Sequence, residues 1–197
     1  TPVCARHLRP ALEHRDDHIG AARGIRSRTG DGQAGRPGRL DRGGEDVEAD
    51  DVVTGKRPAV LVVHAREGMT PKTQALTELW AKLGYVSFAA DIFGYGQGVL
   101  PKNTEAMAAQ TEIYRKNREL LRARTHAGYD TLIKNPMVDA SKVALVGYCF
   151  GGAVGVEFGS TGVPLVANVS IHGSFGDHAP GWAKNAKGMF LILHGAE

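Results

Sequence analysis

The chain has 197 residues, of which 42% are hydrophobic and 23% charged, and a formal net charge of +3. That length accommodates one α/β domain with a proper core, and the mildly basic balance is no argument for nucleic acid. No apolar run reaches the roughly 18 residues of a membrane span, and the first twenty residues hold nothing like the apolar core of a secretory signal.

Residues 1–54 read as a disordered or atypical Arg/Gly-rich segment. The first fifty residues carry nine Arg, no Lys, eight Gly and nine acids, with no apolar periodicity. Such a stretch cannot bury enough surface to offset its ordering entropy. An Arg-rich arm that binds nucleic acid is the alternative reading, and the nine acids that cancel its charge count against it. Two cysteines, Cys4 and Cys149, make no disulfide framework. A reduced, cytoplasmic setting is expected, in which Cys149 stays a free thiol.

An ordered pattern begins near Gly55. "PAVLVVH" (58–64) is a continuous β-branched apolar run, as expected of a strand buried on both faces. Residues 73–83 place apolar side chains at helical spacing, and Gly84 follows as a stop. "YVSFAADIF" (85–93) is a second strand, and the glycines at 94, 96 and 98 form a turn that lacks the G-K-[ST] of a phosphate loop. Residues 103–134 are helical in composition. Within them "RKNRELLRAR" (115–124) packs five cations into ten residues, read as the solvated face of an amphipathic helix with Leu120 and Leu121 inward.

"KVALVGY" (142–148) is a third strand, residues 150–158 a short helix, and "PLVANVSIH" (164–172) and "GMFLILH" (188–194) two more strands. Strands alternating with helices predict a parallel doubly wound sheet, with any site at the strand C-termini.

The chemistry-bearing stretch is "VALVGYCFGG" (143–152). A strand that ends in G-x-Cys-x-G and opens a helix makes a strained turn that projects its central residue above the sheet edge. There the helix N-terminus favours a thiolate at Cys149. The N–H of Phe150 would face the oxyanion of an attacked carbonyl, and a second donor is expected near Ala65 or Arg66, after the first strand. His64, Arg66, Tyr95 and Tyr148 are candidate pocket residues, with His64 lining the pocket or fixing the oxyanion loop rather than acting as the base.

With these pieces in order, the region from about Lys56 to Glu197 resembles the dienelactone hydrolase family, the cysteine branch of the α/β-hydrolases. The resemblance rests on "GKRPAVLVVH", "LGYVSFAADIFG", "RKNRELLRAR", "VDASKVALVGYCFGG", "VSIHG" and "LILHGAE". It implies an α/β-hydrolase fold and a Cys–Asp–His triad acting on small lactones or carboxylic esters, with no metal or organic cofactor. Cys149 matches the nucleophile, and Phe150 the backbone oxyanion residue that follows it.

The chain departs from the family pattern in three places. Ala65 stands where the family commonly has Glu, and Tyr95 where dienelactone enzymes place an arginine. The family's Asp lies a few residues past "LHG" and its His further on, whereas the sequence ends at Glu197. The expectation is therefore a domain over 55–197 with its last strand and helix missing. The acids after Cys149 are Glu157, Asp177 and Glu197, and the histidines His172, His178 and His194; none of them is assigned to the triad. The partners expected are a small ester or lactone, with neither nucleic acid nor membrane. A truncated or inactive relative without turnover is the alternative.

Overall fold

The computed structural model describes residues 55–94, 100–174 and 181–195. Five parallel strands form one sheet: β1 (Arg57–Val63), β2 (Val86–Ala90), β3 (Val138–Tyr148), β4 (Ala167–Ile171) and β5 (Met189–Leu193), in the order β2-β1-β3-β4-β5. Each of the five runs predicted as strands forms one. The helices are α1 (Pro71–Lys82), α2 (Thr104–Lys116), α3 (Arg118–Ile133) and α4 (Phe150–Gly159). This is an α/β-hydrolase-type parallel sheet, and the strand order reverses between β1 and β3. In open α/β sheets that reversal opens a crevice at the strand C-termini.

Alternation along each strand divides the core in two. Leu61, Val63, Phe88, Val143 and Leu145 face Leu121, Tyr129, Leu132, Val154 and Phe158 in the larger cluster. Val60, Val62 and Val146 meet Trp80, Tyr85, Tyr148, Val169 and Ile171 in the smaller one, on the other face. α1 starts where Thr70 caps it, accepting from the Thr73 N–H at 3.4 Å, with Pro71 at its first position. Gly84, at φ 93°, follows its end as predicted.

The stretch 103–134 is two helices rather than one. Asn117 (φ −114°, ψ 79°) leaves the helical region, and its side chain accepts the Leu120 N–H at 3.0 Å, capping α3. A capping asparagine competes with helix continuation through just such a local bond. Leu121 is buried as expected and Leu120 half-buried.

At the start of β3, the Ser141 hydroxyl donates to Asp139 at 2.6 Å, and Lys142 lies 3.2 Å away. The Ser141 bond first, then Lys142, hold the Asp139 carboxyl below its ordinary value. The resulting contribution to stability is present above the ordinary carboxylate range and is lost as the pH falls through the lowered value.

β5 departs from the pattern of buried strands. Met189, Leu191, Ile192 and Leu193 are exposed, Met189 to 73%. Among the described residues β5 lies at the edge of the sheet, paired with β4.

Candidate active site

Cys149 sits in the sharp turn between β3 and α4, with φ 53° and ψ −113°. It is one of two non-glycine residues with positive φ among those described, the other being His172 at the end of β4. Backbone held in such a region costs about 1–3 kcal/mol and persists only where the surroundings fix it. Here the Cys149 N–H donates to the Ile171 carbonyl at 2.8 Å, and the Cys149 carbonyl accepts from Gly152 at 3.0 Å and Ala153 at 3.3 Å.

The glycines explain how strand, turn and helix come so close. A Cβ on Gly147 would fall 1.9 Å from the Gly151 carbonyl oxygen, and one on Gly151 would fall 2.3 Å from that of Val63. Phe150 occupies the first helical position, where an N–H has no acceptor within the helix. Its ring is buried against His64, Phe93 and Tyr114.

A cleft of about 450 Å³ opens beside the thiol, lined by Arg115, Cys149, Phe150, His172, Ser174 and His194. The His172 and His194 rings stack at 5.5 Å. The His172 N–H donates to the Leu193 carbonyl at 2.7 Å, which joins the ends of β4 and β5. Cys149 is partly exposed.

The predicted pocket residues do not all share this cleft. His64, Ala65 and Tyr148 line a separate cavity of about 170 Å³ together with Glu67, Lys72 and Leu76. Tyr148 is the last residue of β3, and alternation sends it, with Val146, into the smaller cluster. Arg66 lines neither cavity; it is exposed, with Glu67 3.9 Å away. Tyr95, Asp177, His178, Glu197 and the 1–54 segment lie outside the described residues.

His64 is almost wholly buried, with 1% of its surface exposed. Its Nδ1 lies 2.7 Å from the Ala65 carbonyl oxygen, and its Nε2 3.1 Å from the Ile92 N–H. A carbonyl can only accept and an amide N–H only donate, so the proton is on Nδ1 and the lone pair on Nε2. Both nitrogens are committed, and His64 ties the loop after β1 to the end of β2. Asp91, 3.7 Å from Nε2, accepts from the N–H groups of Phe93 and Gly94, each at 3.0 Å. Replacing His64 with leucine would leave the Ile92 N–H buried without an acceptor. The expected cost is about 2–3 kcal/mol, measurable as a lower denaturant midpoint at unchanged slope.

The model of the dienelactone hydrolase family matches residues 47–197. The chain belongs to the dienelactone hydrolase family. Dienelactone hydrolase relatives among curated and solved proteins agree. A protein of Synechocystis sp. described as a carboxymethylenebutenolidase is 32% identical over 144 residues, covering 69% of this chain and 56% of its own length. The solved structure named m3DLH is 34% identical, with a TM-score of 0.71, over 76% of this chain and 61% of its own. A dienelactone hydrolase-like promiscuous phosphotriesterase from metagenomic libraries is 33% identical, with a TM-score of 0.70 and the same coverage. The chain thus spans little more than half the length of these dienelactone hydrolase relatives.

Sequence reasoning missed Arg115 and Ser174 as cleft residues. The available signal was Asn117. In a βαβ unit the helix starts at the C-terminal edge of the sheet, where sites lie, so a cap in "RKNREL" places the residues beside it at that edge.

Proposed function

We propose that this protein is a hydrolase of the dienelactone hydrolase type, cleaving a small lactone or carboxylic ester through Cys149 and a thioester intermediate. The observation that carries this reading is the strained Cys149 turn at the strand-order reversal, with the thiol in a cleft at a helix N-terminus. Such a turn is the nucleophile elbow of α/β-hydrolases. The thiolate sulfur attacks the acyl carbon, and the carbonyl electron pair moves onto oxygen. The N–H of Phe150, which lines the same cleft as Cys149, receives that oxyanion. As the carbonyl re-forms, the C–O bond to the leaving group breaks. The alkoxide leaves and takes up a proton, and a thioester remains on Cys149. Water then attacks the thioester, releasing the acid and the thiol.

The test is hydrolysis of a p-nitrophenyl ester and of a small lactone by the wild type and by Cys149→Ala. A phosphotriester belongs in the panel because one solved relative is a promiscuous phosphotriesterase. Hydrolysis that depends on Cys149 supports the reading, and hydrolysis unchanged in Cys149→Ala rejects it. A second reading, a relative without turnover, draws on the exposed apolar strand β5; a reactive Cys149 with no hydrolysis would favour it.

A further inference from the structure

A further cavity, of about 110 Å³, lies between α3 and α4 beside the cleft that holds Cys149. Arg115, Phe150 and Ser174 border both, so the two adjoin. Leu121, Phe150, Ala153 and Val156 give the smaller cavity an apolar wall. Its charged residues Arg118 and Glu157 are engaged with each other. Glu157, buried on α4, accepts from Arg118 Nη1 at 3.1 Å and from Arg122 Nε at 2.8 Å. A polar arm entering there would compete with a buried, charge-assisted pair, whereas an apolar arm would leave water for the wall opposite.

The helix sets where this slot lies. Ala153 stands one turn along α4 from Cys149, and its N–H donates to the Cys149 carbonyl at 3.3 Å. Val156 follows one turn further on. The slot therefore has Ala153 at its mouth and Val156 deeper in. A dry apolar cavity of about 150 Å³ takes a benzene ring, so this one suits roughly four carbons. In the proposed reaction the acyl group is the part of the ester that stays bonded to Cys149 through both steps. We infer that the slot is an acyl-chain subsite of the Cys149 site, selecting esters of short unbranched aliphatic acids, with Ala153 controlling entry. This deepens the hydrolase reading and rests on Cys149 being the nucleophile.

The test is kcat/KM for p-nitrophenyl acetate, butyrate and hexanoate, measured on the full chain and divided by the rate of each ester with free cysteine. Two more buried methylenes should favour butyrate over acetate roughly tenfold in the wild type. In Ala153→Leu the leucine occupies the mouth, and that preference should fall roughly tenfold, to the ratio seen with free cysteine. Val156→Ala deepens the slot, and the hexanoate-to-butyrate ratio should rise roughly threefold or more. A folded, hydrolysing Ala153→Leu that keeps the wild-type chain preference overturns the inference alone. If that variant does not fold, an unchanged hexanoate-to-butyrate ratio in Val156→Ala does so instead. A preference that follows the alcohol in a series of acetate esters, and not the acid, also overturns it. If the wild type hydrolyses none of the esters, the hydrolase reading fails and this inference fails with it.

Discussion

Replacing Gly151 with alanine is expected to unfold the domain, not merely to impair the site. The added Cβ would lie 2.3 Å from the Val63 carbonyl oxygen and 2.6 Å from that of His64. Both are backbone atoms where the interior strand β1 ends, and neither can swing aside as a side-chain tip could. Relief would require α4 to lift away from β1, opening the packing of Phe150, Val154 and Phe158. Overpacking a core usually costs about 1–3 kcal/mol. A clash with two consecutive backbone carbonyls belongs in the rare class above about 4 kcal/mol, a large part of a typical domain's stability. Gly147→Ala meets the same packing from the other side, 1.9 Å from the Gly151 oxygen. Soluble yield and thermal melting followed by circular dichroism are the measurements. A cooperative melt within a few degrees of wild type for Gly151→Ala would contradict the packing described.

The second large effect falls on chemistry rather than folding. Cys149→Ala should keep the fold, because the thiol makes no side-chain cap bond to α4 and is partly exposed. Ester hydrolysis should fall by roughly 10³-fold or more, the scale of losing a covalent nucleophile that acts together with its oxyanion donors. Cys149→Gly gives the complementary result. Glycine accepts φ 53° without strain, so this variant should be at least as stable as Cys149→Ala, and by about 1 kcal/mol more stable if the strain is fully released. Chemical denaturation of the two variants side by side reads that difference. A less stable glycine variant would show that the turn stores no strain at Cys149.

The strands were legible because an apolar β-branched run carries its own signal. "PAVLVVH" and "KVALVGY" became β1 and β3 to within a few residues. The turn at Cys149 was legible for a related reason: glycines at 147, 151 and 152 are needed wherever strand and helix backbones touch. Three features were not legible. The apolarity of "MFLIL" reports what the strand would bury but not which element covers it, and in the structure β5 is an exposed edge. The role of His64 depends on the Ile92 N–H, 28 residues along the chain, and no local pattern encodes that meeting. Arg115 reads as one more cation on a charged helix until α3 docks on α4, where Glu157 engages Arg118 and Arg122 but not Arg115. Pairing among those arginines is a tertiary property, so composition alone could not single one out.

The proposed hydrolysis rests on acylation of Cys149 during turnover. The most direct measurement is intact-protein and peptide mass spectrometry after brief exposure to an activated ester, followed by hydroxylamine treatment. One acyl adduct is expected on the peptide containing Cys149, removed by hydroxylamine, absent in Cys149→Ala, and decaying at the rate of ester turnover. Turnover with no adduct at Cys149, or an adduct confined to Cys4, would contradict it.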